Sequence, residues 1–155
     1  MRMATGIDLQ RWALRRMDLL GRQLRRRPST VEHLAVGLRG EREALFHLRT
    51  LGYTVVARRW KSAKLRGDVD LIGWDEDRLC FIEVKTRSGR DPMAPAESAV
   101  DADKQEMLRK MARAYLRAFP EKQRRQVPVR FDIVSVYLQP QMVEFDVYKG
   151  AFGLE

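Results

Sequence analysis

Between residues 9 and 24, Leu9, Trp12, Ala13, Met17, Leu20 and Leu24 recur at helical spacing, while Arg11, Arg15, Arg22 and Arg25 fall mostly elsewhere around the axis. This pattern predicts a basic amphipathic helix that ends in Arg25-Arg26-Arg27-Pro28, because proline disfavours helix at the residue before it. Ser29, with Glu32 three residues on, is a capping pair for a new helix, and a linker is placed at residues 26–30. Over residues 40–51, Ala44, Leu45, Leu48 and Leu51 form one apolar face, and Gly52 ends the helix.

Strand-like patterns follow. Residues 53–60 are β-branched and aromatic. Residues 68–74 and 79–86 are apolar and joined by the polar turn Asp75-Glu76-Asp77-Arg78, which predicts an antiparallel hairpin. After a loop containing Pro92 and Pro95, residues 96–118 read as a long helix with an inward stripe of Val100, Met107, Leu108, Met111 and Tyr115, stopped by Pro120. Strands at 129–137 and 142–148 complete the order helix, three strands, helix, two strands. Such alternation indicates an α/β sheet covered by helices. There is no internal repeat or low-complexity tract, and 155 residues with 45% hydrophobic content suit one domain plus an extension. The expected division is a basic helical extension and linker over 1–36 and a folded domain over 37–155.

Charge narrows the class of partner. Thirty Lys and Arg against 21 Asp and Glu leave a net charge of +9, which favours a polyanion, nucleic acid first among them. The excess is concentrated at the start, where residues 1–39 hold nine arginines and three acids. A nucleic-acid clamp, a membrane-surface helix and a solvated extension packed by its apolar stripe are the three readings of that segment. A lone cysteine, Cys80, excludes an intramolecular disulfide and any Cys-cluster zinc site, and is expected to pack as a small apolar residue. No apolar run reaches the roughly 18 residues of a membrane-spanning helix, so the chain is expected to be soluble and cytoplasmic.

The candidate chemistry lies in the middle strands. Side chains alternate faces along a strand, so Phe81, Glu83 and Lys85 share one side and Cys80, Ile82 and Val84 the other. A carboxylate and an ammonium therefore stand where a buried central strand should be apolar, and buried charge must be paired or bound. Hairpin pairing brings Asp70 near Glu83, and like charges facing each other across strands ask for a cation. Mg²⁺, a hard ion served by one or two carboxylates plus water and phosphate, is the natural candidate. The Val84 carbonyl is a further candidate ligand, and Lys85 is placed to hold or deprotonate an attacking water. Glu41, on the apolar side of its helix, adds a third carboxylate, and Lys104, at i+4 from Val100, is placed to reach a substrate phosphate.

Each residue also has a plainer reading. Glu83 with Lys85 is, alone, a common surface ion pair; Lys104 can snorkel from the helix edge; Glu41 suits the start of a helix through the dipole. Asp68, following Gly67, is expected as a turn or strand-edge residue rather than a ligand. His33 and His47 match no metal-binding spacing and are expected to be structural or exposed. Trp12, Trp60 and Trp74 are expected in packing rather than base stacking.

Taken together, Gly40-Glu41, Leu51-Gly52-Tyr53, Gly67-Asp68-Val69-Asp70-Leu71-Ile72 and Phe81-Ile82-Glu83-Val84-Lys85-Thr86-Arg87 resemble, in order and spacing, the YraN family of endonuclease-like proteins. Pro95-Ala96-Glu97-Ser98-Ala99-Val100 with Lys104, then Arg130-Phe131-Asp132-Ile133 and Ala151-Phe152, continue the resemblance, which covers about residues 37–152. The resemblance extends to archaeal Holliday-junction resolvases and other PD-(D/E)XK nucleases. It implies a restriction-endonuclease-like core with a mixed five-stranded sheet flanked by helices. It further implies a Mg²⁺ or Mn²⁺-dependent endonuclease acting on DNA, with branched or single-stranded substrates in repair or recombination, and a homodimer as a candidate assembly. In these terms Glu41 is the helix carboxylate, Asp70 and Glu83 the metal ligands, Lys85 the catalytic lysine and Lys104 an auxiliary group. Gly67-Asp68 departs from the Gly-Glu usual at that place. The alternative is a non-catalytic nucleic-acid-binding module that keeps the fold.

Overall fold

The computed structural model describes residues 30–90, 93 and 100–155. Its elements are α1 (Thr30–Thr50), β1 (Thr54–Trp60), β2 (Val69–Asp75), β3 (Arg78–Arg87), α2 (Ala102–Leu116), α3 (Glu121–Arg124), β4 (Val129–Leu138) and β5 (Val143–Phe152). The five strands lie in one sheet in chain order. All neighbours are antiparallel except β3 and β4, which run parallel. A parallel pair needs a crossover, and α2 supplies it. The architecture is α/β, a mixed five-stranded sheet flanked by helices, as expected from the sequence. Residues 35–155 form one compact unit.

Alternation along β3 decides which helix covers which face. Leu79 and Phe81 pack with Leu108, Met111, Ala112 and Leu116 of α2, whereas Cys80, Ile82 and Val84 pack with Ala44, Leu45 and Leu48 of α1. β3 is thus buried on both faces, as its nearly continuous apolar run requires. The β2–β3 hairpin pairs Leu71 with Ile82, Ile72 with Phe81 and Asp75 with Arg78, leaving only Glu76-Asp77 as the loop. Glu76 has φ +55°, the sign that tight hairpin turns demand. At its other end α1 comes against β3 through Gly40, where an added Cβ would overlap the Thr86 Oγ1 and side-chain carbons.

Several boundaries differ from expectation for identifiable reasons. The expected long helix is not continuous through Val100 and Asp101: α2 begins at Ala102, because the Asp101 side chain accepts the Lys104 N–H at 2.8 Å and caps it there. Val100 is still buried in the core, ahead of the helix. Leu51 is 47% exposed instead of core, since Gly52 at φ +93° turns the chain and Tyr53 enters the interior in its place. Thr30 belongs to α1 rather than to a linker, the short α3 follows Pro120 unannounced, and β5 runs on to Phe152, which stacks on Phe131 at 4.6 Å. The expected helix over 9–24, the Ser29 cap, the rest of the linker and the expected helix start at 96 lie outside the described residues.

A buried polar network braces the start of β4. Arg130 donates to both Asp132 oxygens at 2.7 and 2.8 Å and to Asp75 at 2.7 Å. The Tyr53 hydroxyl and the Gly150 N–H also donate to Asp132, at 3.0 Å each. The Asp132 carboxylate is therefore buried but fully supplied with donors, which is what makes its burial tolerable. No helix among the described residues is long and apolar enough to cross a membrane.

Candidate functional site

One step outward from the Leu71–Ile82 pair, Asp70 and Glu83 meet across β2 and β3 on the sheet face that α2 covers. Asp70 Oδ2 accepts the Val84 main-chain N–H at 2.8 Å. In an extended strand a residue's N–H and C=O point towards the same neighbour, so the Val84 carbonyl also faces the strand of Asp70, while its side chain packs under α1. Glu83 is only 3% exposed. Lys85 Nζ stands 3.0 Å from its Oε1 and Lys104 Nζ 3.0 Å from its Oε2. The second contact is an ion pair without hydrogen-bond geometry, and Oε2 is buried with no hydrogen-bond donor.

Electrostatics follow from this crowding. Burial first, and the neighbouring Glu83 charge second, push the Asp70 carboxyl up to about 7, against the opposing pull of the Val84 N–H and Lys104. Glu41 acts on the same cluster. Its own carboxyl is raised, chiefly by burial, with Arg59 opposing and Asp68 and Glu83 reinforcing the shift. Its Oε2 is also buried without a hydrogen-bond donor. Arg59 Nε lies 3.9 Å from Glu41 Oε2 and 3.9 Å from Asp68 Oδ2, so one guanidinium bridges the acid of α1 and the acid that precedes β2.

Arg59 makes this bridge from a left-handed backbone conformation, φ +47°, close to the end of β1. Such a conformation costs a bulky residue on the order of 1 kcal/mol or more and suits Gly or Asn better. Nothing in the pattern of residues 53–60 singled Arg59 out. Its only sequence signal is a charge closing a strand that leads into the Gly67-Asp68 loop.

Of the residues read from sequence, Asp70, Glu83 and Lys85 are brought together directly. Lys104 joins them by pairing with Glu83. Glu41 is linked through Arg59 and through its effect on the Asp70 charge. Asp68 stands at the strand edge, partly exposed. His33 is exposed and His47 stacks on Phe145 at 4.1 Å, so neither contributes. Trp60 packs edge-on against Tyr115 and Trp74 against Phe119, as packing residues. Cys80 is buried and free, and burial pushes its thiol up to about 12, which leaves it inert.

The donor set fits a hard divalent cation. Two facing carboxylates, one of them raised by burial and then by its acidic neighbour, and two buried carboxylate oxygens without donors are groups that a cation would satisfy. Among the described residues no three or more His, Cys, Asp or Glu side chains are gathered as a ready-made cage. The ion would therefore have Asp70, Glu83 and the Val84 carbonyl as protein ligands and keep positions for water and phosphate, as Mg²⁺ commonly does.

Comparison with known proteins gives the family. The model of the uncharacterised protein family UPF0102 matches residues 40–136, a span holding Glu41, Asp70, Glu83, Lys85 and Lys104. A UPF0102 protein of Koribacter versatilis is 49% identical over 127 residues, covering 82% of this chain and 85% of the relative. One of Solibacter usitatus is 45% identical over 130 residues, covering 84% and 92%. One of Rhodococcus opacus is 40% identical over 114 residues, covering 71% and 92%. The chain belongs to the UPF0102 family.

Proposed function

We propose that the protein is a divalent-metal-dependent nuclease of the PD-(D/E)XK, restriction-endonuclease-like type, hydrolysing phosphodiester bonds of DNA. The observation that carries this reading is the meeting of Asp70 and Glu83 on one sheet face with the Lys85 ammonium 3.0 Å from Glu83. The net charge of +9 supports a polyanionic substrate, and the resemblance to resolvase-like nucleases favours branched or single-stranded DNA.

Asp70, Glu83 and the Val84 carbonyl would hold Mg²⁺ or Mn²⁺, which when bound polarises a phosphate oxygen and lowers the pKa of water. The chain's own residues do the rest. Asp70 is fixed in direction by the Val84 N–H and Glu83 by its two lysines, so the acids are set before substrate arrives. Lys85 would orient the water whose oxygen attacks phosphorus, the proton lost by that water passing to solvent, and stabilise the negative charge that develops there. The P–O bond opposite breaks, and the leaving alkoxide takes a proton from solvent. Lys104 neutralises Glu83 from the other side and would be freed to contact a substrate phosphate if Glu83 took a cation.

One observation favours a rival, a non-catalytic nucleic-acid-binding module: Lys85 and Lys104 together already neutralise Glu83. Labelled linear, single-stranded, flap and four-way DNA incubated with Mn²⁺, beside Lys85→Ala, separates the two. Cleavage of at least one substrate by the native chain and its loss in the variant is the expected result. Salt-sensitive binding without cleavage of any substrate supports the module.

A further inference from the structure

The loop between β1 and β2 runs from one side of the candidate site to the other, leaving at Arg59 and returning at Asp68 and Asp70. On the way it lies against α2: a Cβ on Gly67 would stand 3.2 Å from the Met107 sulfur. Between this loop and α2 lies a groove of about 140 Å³ whose charged lining is Lys64, Lys110, Arg113 and Arg117, with no acidic side chain among its walls. Arg113 is steadied by donating to the Leu154 carbonyl at 2.8 Å, and Lys110 has the Glu106 carboxylate 3.9 Å away. Among the described residues no carboxylate lies within ion-pair distance of the Lys64 or Arg117 side chains.

We propose that this groove is the track for the sugar-phosphate backbone of the nucleic-acid strand that enters the carboxylate site, held by Lys64, Lys110, Arg113 and Arg117. The proposal rests on the nucleic-acid reading of that site. Two features make a track rather than a random patch. Lys110, Arg113 and Arg117 recur at i, i+3 and i+7, one line along the helix, and span about 10 Å of axis at 1.5 Å per residue. A row of cations of this kind complements the regular row of phosphates along a strand. The groove also shares both of its walls with the site, since α2 carries Lys104, which pairs with Glu83, and the loop leads on to β2 and Asp70; in the adjoining stretch of the same cleft Arg66 and Lys110 stand with Asp103 and Glu106. Backbone phosphates are recognised by point charges in this way without regard to base, so the contact sets strand position and not sequence.

The test is metal-free binding of a labelled DNA oligonucleotide, single-stranded and duplex, in EDTA across a series of salt concentrations. The native chain is compared with Lys64→Gln/Arg117→Gln and with Lys122→Gln/Arg125→Gln, an equal loss of charge on α3. Losing two phosphate contacts is expected to weaken binding about tenfold or more at low salt and to flatten the salt slope by about 2. The α3 pair is expected to leave both unchanged, and the melting temperature of each variant shows that it is folded. Equal weakening by the two pairs, or no weakening by the groove pair, overturns the track. Absence of binding by the native chain overturns it too. A chain that cuts nothing but binds through the groove removes the nuclease reading and leaves the track standing, whereas cutting with groove variants that bind normally does the reverse.

Discussion

Asp70 Oδ2 accepts the main-chain N–H of Val84 at 2.8 Å, so the acid of one strand is tied to the residue next to Glu83 on the other. This single bond holds two like charges at close quarters in a poorly hydrated place. Against the lowering effect of that bond, burial first and Glu83 second raise the Asp70 carboxyl to about 7.

A raised carboxyl pKa favours the neutral form in the folded state, so its stabilising effect is complete below the unfolded value of 3.8 and is lost as pH climbs through about 7. The metal-free native chain is therefore expected to lose a few kcal/mol of stability across that window. Asp70→Asn, which cannot ionise, should lose much less, and its advantage over the native chain should grow with pH and level off above about 7. Urea unfolding at a series of pH values in EDTA measures both. Parallel pH profiles for the two proteins would show that Asp70 is not perturbed.

Gly40 admits α1 close enough to β3 to leave no room for a side chain, because an added Cβ meets Thr86. Gly40→Ala is expected to cost roughly 1–3 kcal/mol, the usual range for overpacking, and Thr86→Ala in the same chain should recover part of that loss. A double-mutant cycle by chemical unfolding reads the coupling. Purely additive losses would mean that the contact at Thr86 is not the cause.

Arg59 holds a left-handed backbone while its guanidinium stands between Glu41 and Asp68. At pH 5 more of Glu41 is neutral than of an ordinary carboxyl, because burial raises its pKa, so the backbone effect weighs more and Arg59→Asn should be more stable by up to about 1 kcal/mol. As the pH rises towards 8 Glu41 ionises further, its ion pair with Arg59 strengthens, and the gain should shrink. Melting temperatures at the two pH values decide this; a variant less stable at pH 5 would refute the strain.

Asp132, which lies in the motif Arg130-Phe131-Asp132-Ile133, is buried and accepts from Arg130, Tyr53 and Gly150. Removing its carboxylate strands the buried Arg130 guanidinium, and loss of one partner of such a pair costs roughly 3–5 kcal/mol. Asp132→Ala is expected to unfold or nearly unfold the chain, while Tyr53→Phe, which deletes one hydroxyl bond to the same carboxylate, should cost about 1–2 kcal/mol. Guanidinium unfolding checks the order of the two.

Much of this was legible in the residues because strand periodicity is strict. The alternation that set Glu83 and Lys85 apart from Ile82 and Val84, and the polar turn Asp75-Glu76-Asp77-Arg78, were enough to place Asp70 opposite Glu83. Side-chain reach was not legible in the same way. Lys104 pointed to the correct face, but its pairing with Glu83 depends on how α2 crosses the sheet, which no local pattern encodes. The start of α2 was missed because Asp101 caps the helix inside a stretch whose apolar spacing continues upstream. Arg59 was missed because a positive φ on a charged residue leaves no compositional trace.

The central claim is that Asp70 and Glu83 hold one divalent ion between them. Isothermal calorimetry of Mn²⁺ against the native chain, Asp70→Asn and Glu83→Gln at neutral pH tests it without reference to any substrate. The native chain should take up the ion at a single site that either substitution abolishes. Heats that are absent from the native chain, or unchanged in both variants, contradict it.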